Sequence, residues 1–337
     1  MKNILVTGGA GFIGSNFINY VLDKRDDYNI INLDKLTYAG NLENLIPSQG
    51  KKNYHFVKGD IVNSELVDFI FNKYEIKFVI NFAAETHVDR SILGSEVFSR
   101  TNVIGTNVLL EVAKKHKIER FLQVSTDEVY GSLGSEGLFT ELTPIHPNSP
   151  YSASKASADM LVMAFHHTYG VPVVITRCSN NYGSYQFPEK LIPLMIINSM
   201  NKKKLPVYGD GMNIRDWIYV LDHNKAVETV FEQGKIGEVY NVGASNEIPN
   251  VEIVKLILKH LGKSEKLIEY VKDRPGHDRR YAIDSSKINI ELGWEPTYNF
   301  EKAIIQTINW YKENKNWWER IISGEYQEYY KTQYGLK

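Results

Sequence analysis

The sequence predicts an α/β protein with a doubly wound parallel sheet and a smaller C-terminal substrate-binding lobe. Two observations lead to this prediction. Short apolar runs rich in β-branched residues alternate with helix-like segments from residue 3 to residue 177, and such alternation is typical of parallel sheets joined by right-handed crossover helices. Beyond residue 178 the connections carry glycine and proline, which indicates that a less regular lobe begins there.

The elements of the first domain follow one another from the N-terminus. Residues 3–7 predict a strand, a glycine-rich turn follows, and apolar periodicity over 15–22 predicts the first helix. Further strands are predicted at 30–33, 54–58, 78–82, 120–125 and 173–177, and further helices at 64–74, 101–116 and 152–169. Because 239–242 again has the pattern of a buried strand, segments near 219–242 are expected to return to this sheet. We therefore predict a Rossmann-type domain at 1–178 and a second lobe mainly at 179–337.

Composition narrows the possible functions. The chain has 39 Lys and Arg against 40 Asp and Glu, a net charge of −1, and 43% hydrophobic residues, which favours a folded globular protein over a disordered or nucleic-acid-binding one. The short basic run 202–204 is interpreted as a solvated helix end. No apolar run reaches the ~18 residues of a membrane span, and none forms a signal-peptide core. The single cysteine, Cys178, predicts a reducing compartment, the cytoplasm, and no cysteine-based metal site.

The glycine-rich turn predicts a dinucleotide site. Gly8, Gly11 and Gly14 lie between the first strand and the first helix, where absent side chains allow a tight turn and a close approach to a pyrophosphate. Asp34 ends the second strand, 20 residues past Gly14. Its carboxylate can accept both adenine-ribose hydroxyls and would repel a 2′-phosphate, so NAD is favoured over NADP.

A second group of residues predicts alcohol oxidation. Tyr151 and Lys155 are spaced i, i+4 on a predicted helix and share one face. A lysine cation and a positively charged nicotinamide both favour tyrosinate, so we expect the Tyr151 pKa to fall from ~10 toward neutrality. Thr126, Asp127 and Glu128 follow Ser125 at the end of the preceding strand. Each feature alone could belong to an ordinary amphipathic helix or a charged strand end; together they indicate a catalytic site.

With these motifs the chain resembles the extended short-chain dehydrogenase/reductase family, through GGAGFIG, Asp34 and Tyr151-x-x-x-Lys155. It is most similar to the nucleotide-sugar dehydratases of that family. The matching segments cover nearly the whole chain: DKLTYAGNLENL (34–45), AAETHVDRSI (83–92), STDEVYG (125–131), PYSASKA (150–156), SNNYG (179–183), FPEKLIP (187–193), IRDW (214–217) and DRPGHDRRYAID (273–284). Thr86 and Ser184 stand where the family would have Ser and Pro, and the segments near 117 and 132–138 are shorter than in many members.

The resemblance implies a reaction and a partner. The substrate would be dTDP-glucose, and the product a 4-keto-6-deoxy sugar nucleotide that feeds deoxysugar synthesis such as that of dTDP-rhamnose. Tyr151 would take the C4 hydroxyl proton while Thr126 hydrogen-bonds the oxygen, Glu128 would act as base at C5, and protonated Asp127 would supply a proton to the departing C6 hydroxyl. A homodimer formed by the helices near 101–116 and 152–169 is implied as well. The alternatives are a 4-epimerase or dehydratase acting on a UDP-, CDP- or GDP-sugar, and a non-catalytic NAD-binding sensor.

The expected site residues fall into two sets. The NAD site would comprise Gly8, Gly11, Phe12, Ile13, Gly14, Asp34, Lys35, Leu36, Thr37, Asp60, Ile61, Phe82, Ala83, Ala84, Thr86, Thr101, Tyr151, Lys155 and Asn181. The nucleotide-sugar site would comprise Thr86, His87, Asn180, Lys190, Leu191, Pro206, Tyr208, Arg215, Asn250, Asp273, His277 and Arg280. His87 and Arg90 are expected to support the sugar end or the seam between the lobes. The aromatic residues from 310 to 334 are expected to pack against the second lobe.

Overall fold

The computed structural model describes residues 1–323, in which strands and helices alternate as the sequence predicts. The strands are β1 (Lys2–Thr7), β2 (Tyr28–Asp34), β3 (Tyr54–Lys58), β4 (Phe78–Asn81), β5 (Arg120–Thr126), β6 (Val173–Cys178), β7 (Asn180–Tyr182), β8 (Leu205–Tyr208), β9 (Ile214–Tyr219), β10 (Val239–Val242), β11 (Glu247–Pro249) and β12 (Ile268–Val271). The helices are α1 (Phe12–Lys24), α2 (Ser64–Lys73), α3 (Val88–Leu93), α4 (Glu96–Phe98), α5 (Thr106–His116), α6 (Pro150–Tyr169), α7 (Leu191–Met200), α8 (Val220–Gln233), α9 (Asn250–His260), α10 (Ser286–Leu292), α11 (Phe300–Glu313) and α12 (Lys315–Ile322).

The largest sheet has seven parallel strands in the order β3-β2-β1-β4-β5-β6-β10. The predicted return of the chain to this sheet is confirmed, since Val239 of β10 pairs with Ile175 of β6 and α8 packs against α1. The strand order reverses between β1 and β4. In doubly wound sheets such a reversal opens a crevice at the carboxyl ends of the strands, where ligands bind.

Helices cover both faces of this sheet, which explains why its strands have almost continuous apolar runs. Ile4 and Val6 of β1 pack with Phe17 of α1 in one core, whereas Leu5 packs with Leu109 of α5 in the other. All of these side chains are fully buried. The two cores hold the carboxyl ends of the strands at one edge of the sheet.

The second lobe is built from smaller elements. Strands β11, β9 and β7 form one sheet and β12 pairs with β8, while α7, α9 and α11 enclose a third core. The aromatic residues Trp310, Tyr311, Trp317 and Trp318 pack against this lobe, as predicted. Tyr326, Tyr329, Tyr330 and Tyr334 lie outside the described residues.

The predicted helix 101–116 is part of a longer helical run in which Ser99–Gly105 is π-helical. The basic run 202–204 lies just after α7 and is exposed, as expected of a solvated helix end. Among residues 1–323, no helix is both long and apolar enough to cross a lipid bilayer.

Candidate active site

A single cleft runs along the carboxyl ends of the central strands and reaches the second lobe. Its volume is about 290 Å³, at the lower end of the ~300–1,000 Å³ of typical small-ligand sites. Most of the expected site residues line it: Gly8, Gly11, Phe12, Ile13, Gly14, Asp34, Lys35, Thr37, Asp60, Ile61, Phe82, Ala83, Ala84, Thr86, Thr101, Thr126, Asp127, Glu128, Tyr151, Lys155, Asn180, Asn181 and Lys190.

The glycine turn at one end of the cleft has no space for side chains. Gly8 has φ of +70°, and a Cβ atom there would lie 2.7 Å from the backbone of Ala83. A Cβ on Gly14 would lie 2.4 Å from the Gly8 carbonyl oxygen. The bare turn opens α1 directly after β1, so free helix N–H groups and a close backbone approach are available to a phosphate. This cradle fits the pyrophosphate of a dinucleotide.

Asp34 is held rigidly at the end of β2. Its two carboxylate oxygens accept hydrogen bonds from the backbone N–H groups of Ala10 and Leu36, both at 2.8 Å. Burial raises the pKa of Asp34, and the two backbone bonds oppose that rise. Each oxygen retains a second lone pair for a ribose hydroxyl, so the position suits the adenosine half of NAD.

Residues around Asp34 form the rim of this half of the cleft. The Lys35 ammonium pairs with the Asp60 carboxylate at 2.7 Å. Leu36 does not line the cleft; it contributes the backbone N–H that holds Asp34 and has φ of +55°. Thr101 reaches the cleft from the π-helical segment, beside Asn102, whose side chain bonds both the Glu85 backbone and Ser154.

Tyr151 and Lys155 project from the first turns of α6, which Ser149 starts with a capping box. Lys155 Nζ donates to the Val124 carbonyl at 2.7 Å, and the Thr126 hydroxyl donates to the Asp127 carboxylate at 3.3 Å. The expectation of a lowered Tyr151 pKa is not met by the chain's own groups. Burial, followed by the charge of Glu128, raises this pKa well above its ordinary value.

Asp127 is buried and Glu128 is half-buried, and their electrostatic surroundings differ. Burial raises the pKa of Asp127 well above its ordinary value, and the negative charges of Glu128 and Asp216 raise it further. Burial also raises the pKa of Glu128, but there the nearby cations of Arg274, Arg215 and Lys190 oppose the rise. The site therefore favours a protonated Asp127 beside an ionised Glu128.

Several expected substrate residues gather where the second lobe meets the cleft. The Tyr208 hydroxyl donates to Asp89 at 3.0 Å, and Asp89 also pairs with Arg274 at 3.0 Å. The His277 ring packs edge-on against Tyr208 and lies 2.6 Å from the Asp273 carboxylate. Through Arg274, this cluster adds a positive charge near Glu128.

Arg215 belongs to the same region. Only 4% of the residue is exposed; it donates to the carbonyls of Ile214 and Asp278 and stacks 4.2 Å from the ring centroid of Tyr281. Lys190 Nζ donates to the Thr86 carbonyl at 3.0 Å. Positive charge is thus concentrated around Glu128 by residues from distant parts of the chain.

Like Tyr208, Arg215, Asp273 and His277, the other expected substrate residues lie outside the cleft lining. Arg280 pairs with Glu247 at 2.7 Å and donates to the carbonyls of Gly134 and Gly137, so its guanidinium anchors the loop at 132–138. His87 is buried 3.7 Å from Glu189, at the seam between the lobes. The remaining three begin or occupy elements of the second lobe: Leu191 in α7, Pro206 in β8 and Asn250 in α9.

Some cleft residues were missed by sequence reasoning. Tyr38, Phe187 and Glu189 line the cleft, and Arg274 faces Glu128. All four lie inside motifs that carry the family resemblance, so the signal was present, but nothing in the spacing says which motif residues meet. Within residues 1–323, no group of three or more His, Cys, Asp and Glu side chains is arranged to hold a metal ion.

Comparison with known proteins agrees with this geometry. The family model described as GDP-mannose 4,6 dehydratase matches residues 5–307. A dTDP-glucose 4,6-dehydratase of Xanthomonas campestris is 52% identical over 97% of this chain and 98% of its own length, and one of Neisseria meningitidis is 49% identical over the same shares.

Solved structures give the same result. The dTDP-glucose 4,6-dehydratase of Bacillus anthracis, in complex with NAD, is 54% identical with a TM-score of 0.90, covering 95% of this chain and 100% of that one. A UDP-glucose 4-epimerase of Thermotoga maritima is 30% identical with a TM-score of 0.86, covering 93% of this chain and 99% of that one. The chain belongs to the dTDP-glucose 4,6-dehydratase family of the extended short-chain dehydrogenases/reductases.

Proposed function

We propose that the protein is an NAD-dependent hydro-lyase that converts dTDP-glucose to dTDP-4-keto-6-deoxyglucose and water. The observation that carries this proposal is the pair Asp127 and Glu128, which lines the same cleft as Tyr151 and Lys155 in surroundings that favour opposite protonation states. A dehydration needs an acid and a base in addition to the group that handles the C4 hydroxyl proton.

The cofactor assignment rests on the glycine cradle and on Asp34. Gly8, Gly11 and Gly14 would hold the pyrophosphate, and the Asp34 carboxylate would accept the adenine-ribose hydroxyls. When bound, NAD supplies the group that takes the hydrogen from C4 of the sugar and gives it back at C6. Bacillus anthracis dehydratase, which is similar over nearly the whole chain, was crystallised with NAD.

Tyr151, Lys155 and Thr126 manage the proton at the C4 oxygen. Thr126 lines the cleft together with Tyr151, and its hydroxyl would hydrogen-bond the sugar oxygen. The Lys155 cation, supplemented by the positive ring of bound NAD, favours the tyrosinate that accepts the C4 proton. Because the chain's own groups raise the Tyr151 pKa, the tyrosine keeps its proton until the cleft is filled.

Asp127 and Glu128 carry out the elimination. A ketone at C4 acidifies the neighbouring C5–H, and ionised Glu128 removes that proton. Protonated Asp127 donates to the C6 hydroxyl as it leaves, so water is lost. Glu128 exchanges this proton with solvent, and C5 is then reprotonated by a solvent-derived proton as hydrogen returns to C6.

The cationic end of the cleft supports a diphosphate substrate. Arg215 is buried and Arg274 is half-buried, and the charges of both act on Glu128; guanidinium groups recognise phosphate oxygens in planar geometry. The residues Asn180, Lys190, Leu191, Pro206, Tyr208, Asn250 and Asp273 to His277 remain our proposed nucleotide-sugar contacts.

We also propose a homodimer. Exposed apolar side chains occur along the helical run that leads into α5 and on α6: Val97 is 43% exposed, Ile104 54% and Met160 57%. A second copy packing there would form a four-helix bundle and cover them. A chain with Ile104→Glu and Met160→Glu should sediment as a monomer where the wild type sediments as a dimer.

Three further proposals come from the sequence. The boundary between the two domains lies at residue 178, the protein is cytoplasmic, and its product feeds deoxysugar synthesis.

The experiment that tests the function is a panel of sugar nucleotides. Purified protein is incubated with dTDP-, UDP-, CDP- and GDP-glucose, and products are followed by mass spectrometry. We expect loss of one water from dTDP-glucose without added reductant. A product of unchanged mass that has been inverted at C4 would favour the epimerase, and binding without any turnover would favour the sensor.

A further inference from the structure

The feature that the proposed mechanism leaves unused is a loop of the second lobe that contacts the first domain beside its catalytic segments. This loop, residues 278–280, follows directly on the proposed nucleotide contacts Asp273 to His277. The Arg279 N–H donates to the Ser132 hydroxyl at 3.2 Å. Ser132 lies just after the 3₁₀ turn Asp127–Tyr130, which carries the catalytic carboxylates. The nucleotide end of the second lobe is therefore attached to the chain that forms the catalytic site.

Asp278 is the buried residue of this loop, with 7% of its surface exposed. Its carboxylate accepts hydrogen bonds from Asn148 Nδ2 at 2.7 Å and from the Tyr281 hydroxyl. Its backbone carbonyl accepts from the Arg215 guanidinium at 2.9 Å and from Asn213 Nδ2 at 3.1 Å. One residue therefore holds the proposed phosphate ligand through its backbone and the first domain through its side chain.

Asn148, the partner of Asp278 in the first domain, lies between the two catalytic segments. It directly precedes the capping residue of α6, and Tyr151 lies in the first turn of that helix. In the same short approach to α6, the His146 N–H donates to the Val129 carbonyl of the 3₁₀ turn at 3.0 Å. The contact with the second lobe is close, since a Cβ atom on Gly276 would lie 3.0 Å from the Asn148 carbonyl oxygen. A bond that fixes Asn148 therefore fixes the backbone from which Tyr151 projects.

We propose that Asp278 is a positioning residue whose carboxylate ties the nucleotide end of the second lobe to the start of α6, and so aligns Tyr151 with a sugar whose diphosphate is bound by Arg215. This inference rests on the proposed function. The nucleotide does not react, and through this link its binding energy is used to align the group that does. Because the Asp278 carbonyl belongs to the backbone, truncating the side chain removes the link to α6 and leaves Arg215 its acceptor.

The test separates catalysis from nucleotide binding. On NAD-loaded protein, kcat and KM are measured with dTDP-glucose, and the affinity for dTDP, which lacks the sugar, is measured by calorimetry. Misplacing a catalytic group lowers the rate, so we expect Asp278→Ala to lower kcat by roughly 10- to 100-fold and to leave KM and the dTDP affinity unchanged. Asp278→Asn keeps an oxygen for Asn148 and an NH₂ group for the Tyr281 hydroxyl, and should restore most of kcat. Each variant is compared at its own pH optimum, since the Asp278 charge also raises the Glu128 pKa.

A second variant breaks the same bond from its other end. Asn148→Ala, at an exposed position, should lower kcat selectively as well, and the double variant should be no slower than Asp278→Ala because both changes break one link. The matched control is Asp210→Ala. The Asp210 carboxylate accepts from the Arg279 guanidinium of the same loop at 2.8 and 2.9 Å, but its side chain is 59% exposed. This control should change neither kcat nor the dTDP affinity.

The proposal is overturned if Asp278→Ala keeps the wild-type kcat, if it weakens dTDP binding as much as it lowers kcat, or if the double variant multiplies the two losses. Where Asp278→Ala fails to fold, Asn148→Ala decides alone, and a wild-type kcat in that variant overturns the proposal. With a wild type that converts dTDP-glucose, each of these results leaves the proposed function intact. A wild type that binds dTDP and leaves dTDP-glucose unconverted contradicts the proposed function and removes this proposal with it.

Discussion

Asp127 and Glu128 are adjacent in the chain, yet different neighbours surround them. Asp127 is 2% exposed and is influenced by two further carboxylates, those of Glu128 and Asp216. Three cations act on Glu128. In a shared environment both carboxyl groups would have the same protonation state. Here the surroundings favour an acid at Asp127 and a base at Glu128.

Because Asp127 and Glu128 must act in opposite protonation states, we predict that kcat falls at both low and high pH. Asp127 must be protonated to donate, so kcat should fall as pH rises through its raised pKa. Glu128 must be ionised to accept, so kcat should fall as pH drops through its own raised pKa. Because the Glu128 charge raises the Asp127 pKa, Glu128→Gln should lower kcat by ~10²–10⁴-fold, abolish the acid limb and move the alkaline limb to lower pH.

Two variants complete that measurement. Asp127→Asn should lower kcat to a similar degree and remove the alkaline limb, whereas Asp23→Asn, a change at an exposed position on α1, should leave the profile as it is. An alkaline limb that stays in place in Glu128→Gln would contradict the assignment of Asp127 as the acid.

Sequence reasoning reached these residues but not their electrostatics. The i, i+4 spacing of Tyr151 and Lys155 predicts their shared face, which α6 bears out. The cations that act on Glu128 come from positions 190, 215 and 274, and no local pattern reports such distant contacts. The expected fall of the Tyr151 pKa applies to the NAD-bound site and stays a prediction; in the chain alone, burial raises this pKa.

At the scale of elements, the turn between β1 and α1 decides whether a dinucleotide can approach. Gly14→Ala places a methyl group 2.4 Å from the Gly8 carbonyl oxygen, so the turn or α1 must shift. We expect a loss of ~1–3 kcal/mol in the free energy of unfolding together with loss of bound NAD. Denaturant titration and the NAD content of the purified protein measure the two effects.

Gly94→Ala is the control for that change. Gly94 has ordinary backbone geometry for a side chain, and nothing lies within 4 Å of a Cβ atom there, so this variant should keep both its stability and its cofactor. If Gly14→Ala retained NAD as fully as Gly94→Ala, the turn would not be the pyrophosphate cradle.

Elements of the first domain could be predicted well because their periodicity is strong. The predicted strands at 54–58 and 239–242 have the observed bounds of β3 and β10, and the others differ by at most two residues at either end. The π-helical segment Ser99–Gly105 could not be predicted. Its Asn102 side chain bonds Glu85 and Ser154, so the local winding accompanies tertiary hydrogen bonds that periodicity does not reveal.

At the scale of the whole molecule, the two lobes are joined through α8. This helix covers the large sheet, and its Asp222 carboxylate accepts from the backbone N–H groups of Thr297 and Tyr298 at 3.0 and 2.8 Å and from the Thr297 hydroxyl at 2.8 Å. These residues lead directly into α11 of the second lobe. The Asp222 side chain is 1% exposed, so water cannot replace it.

Asp222→Ala should therefore weaken the whole fold. Buried N–H groups that lose their acceptor cost ~1–3 kcal/mol each, so we expect the free energy of unfolding to fall by about 2–4 kcal/mol, measured by urea titration. Asp23→Ala, on the exposed side of α1, should change it little. Equal stability of the two variants would show that α8 does not join the lobes through this carboxylate.

The return of the chain to the large sheet could be predicted from the sequence, because the segment 219–242 contains an apolar strand pattern. β10 lies at that pattern and pairs with β6. The seam between the lobes was not accessible. Asp89 meets Arg274 although 185 positions separate them, and Tyr38 meets Phe187. Such contacts depend on how the lobes pack, which single-chain patterns do not encode.

The central claim is that one cleft oxidises C4, removes water across C5 and C6, and restores the cofactor. The most direct test is NMR of the product formed from dTDP-glucose in deuterated water without added reductant. The account predicts a methyl group at C6, one solvent deuterium at C5 and no net change in the cofactor. A sugar that keeps its C6 hydroxyl and is inverted at C4, or a methyl product with no deuterium at C5, would contradict it.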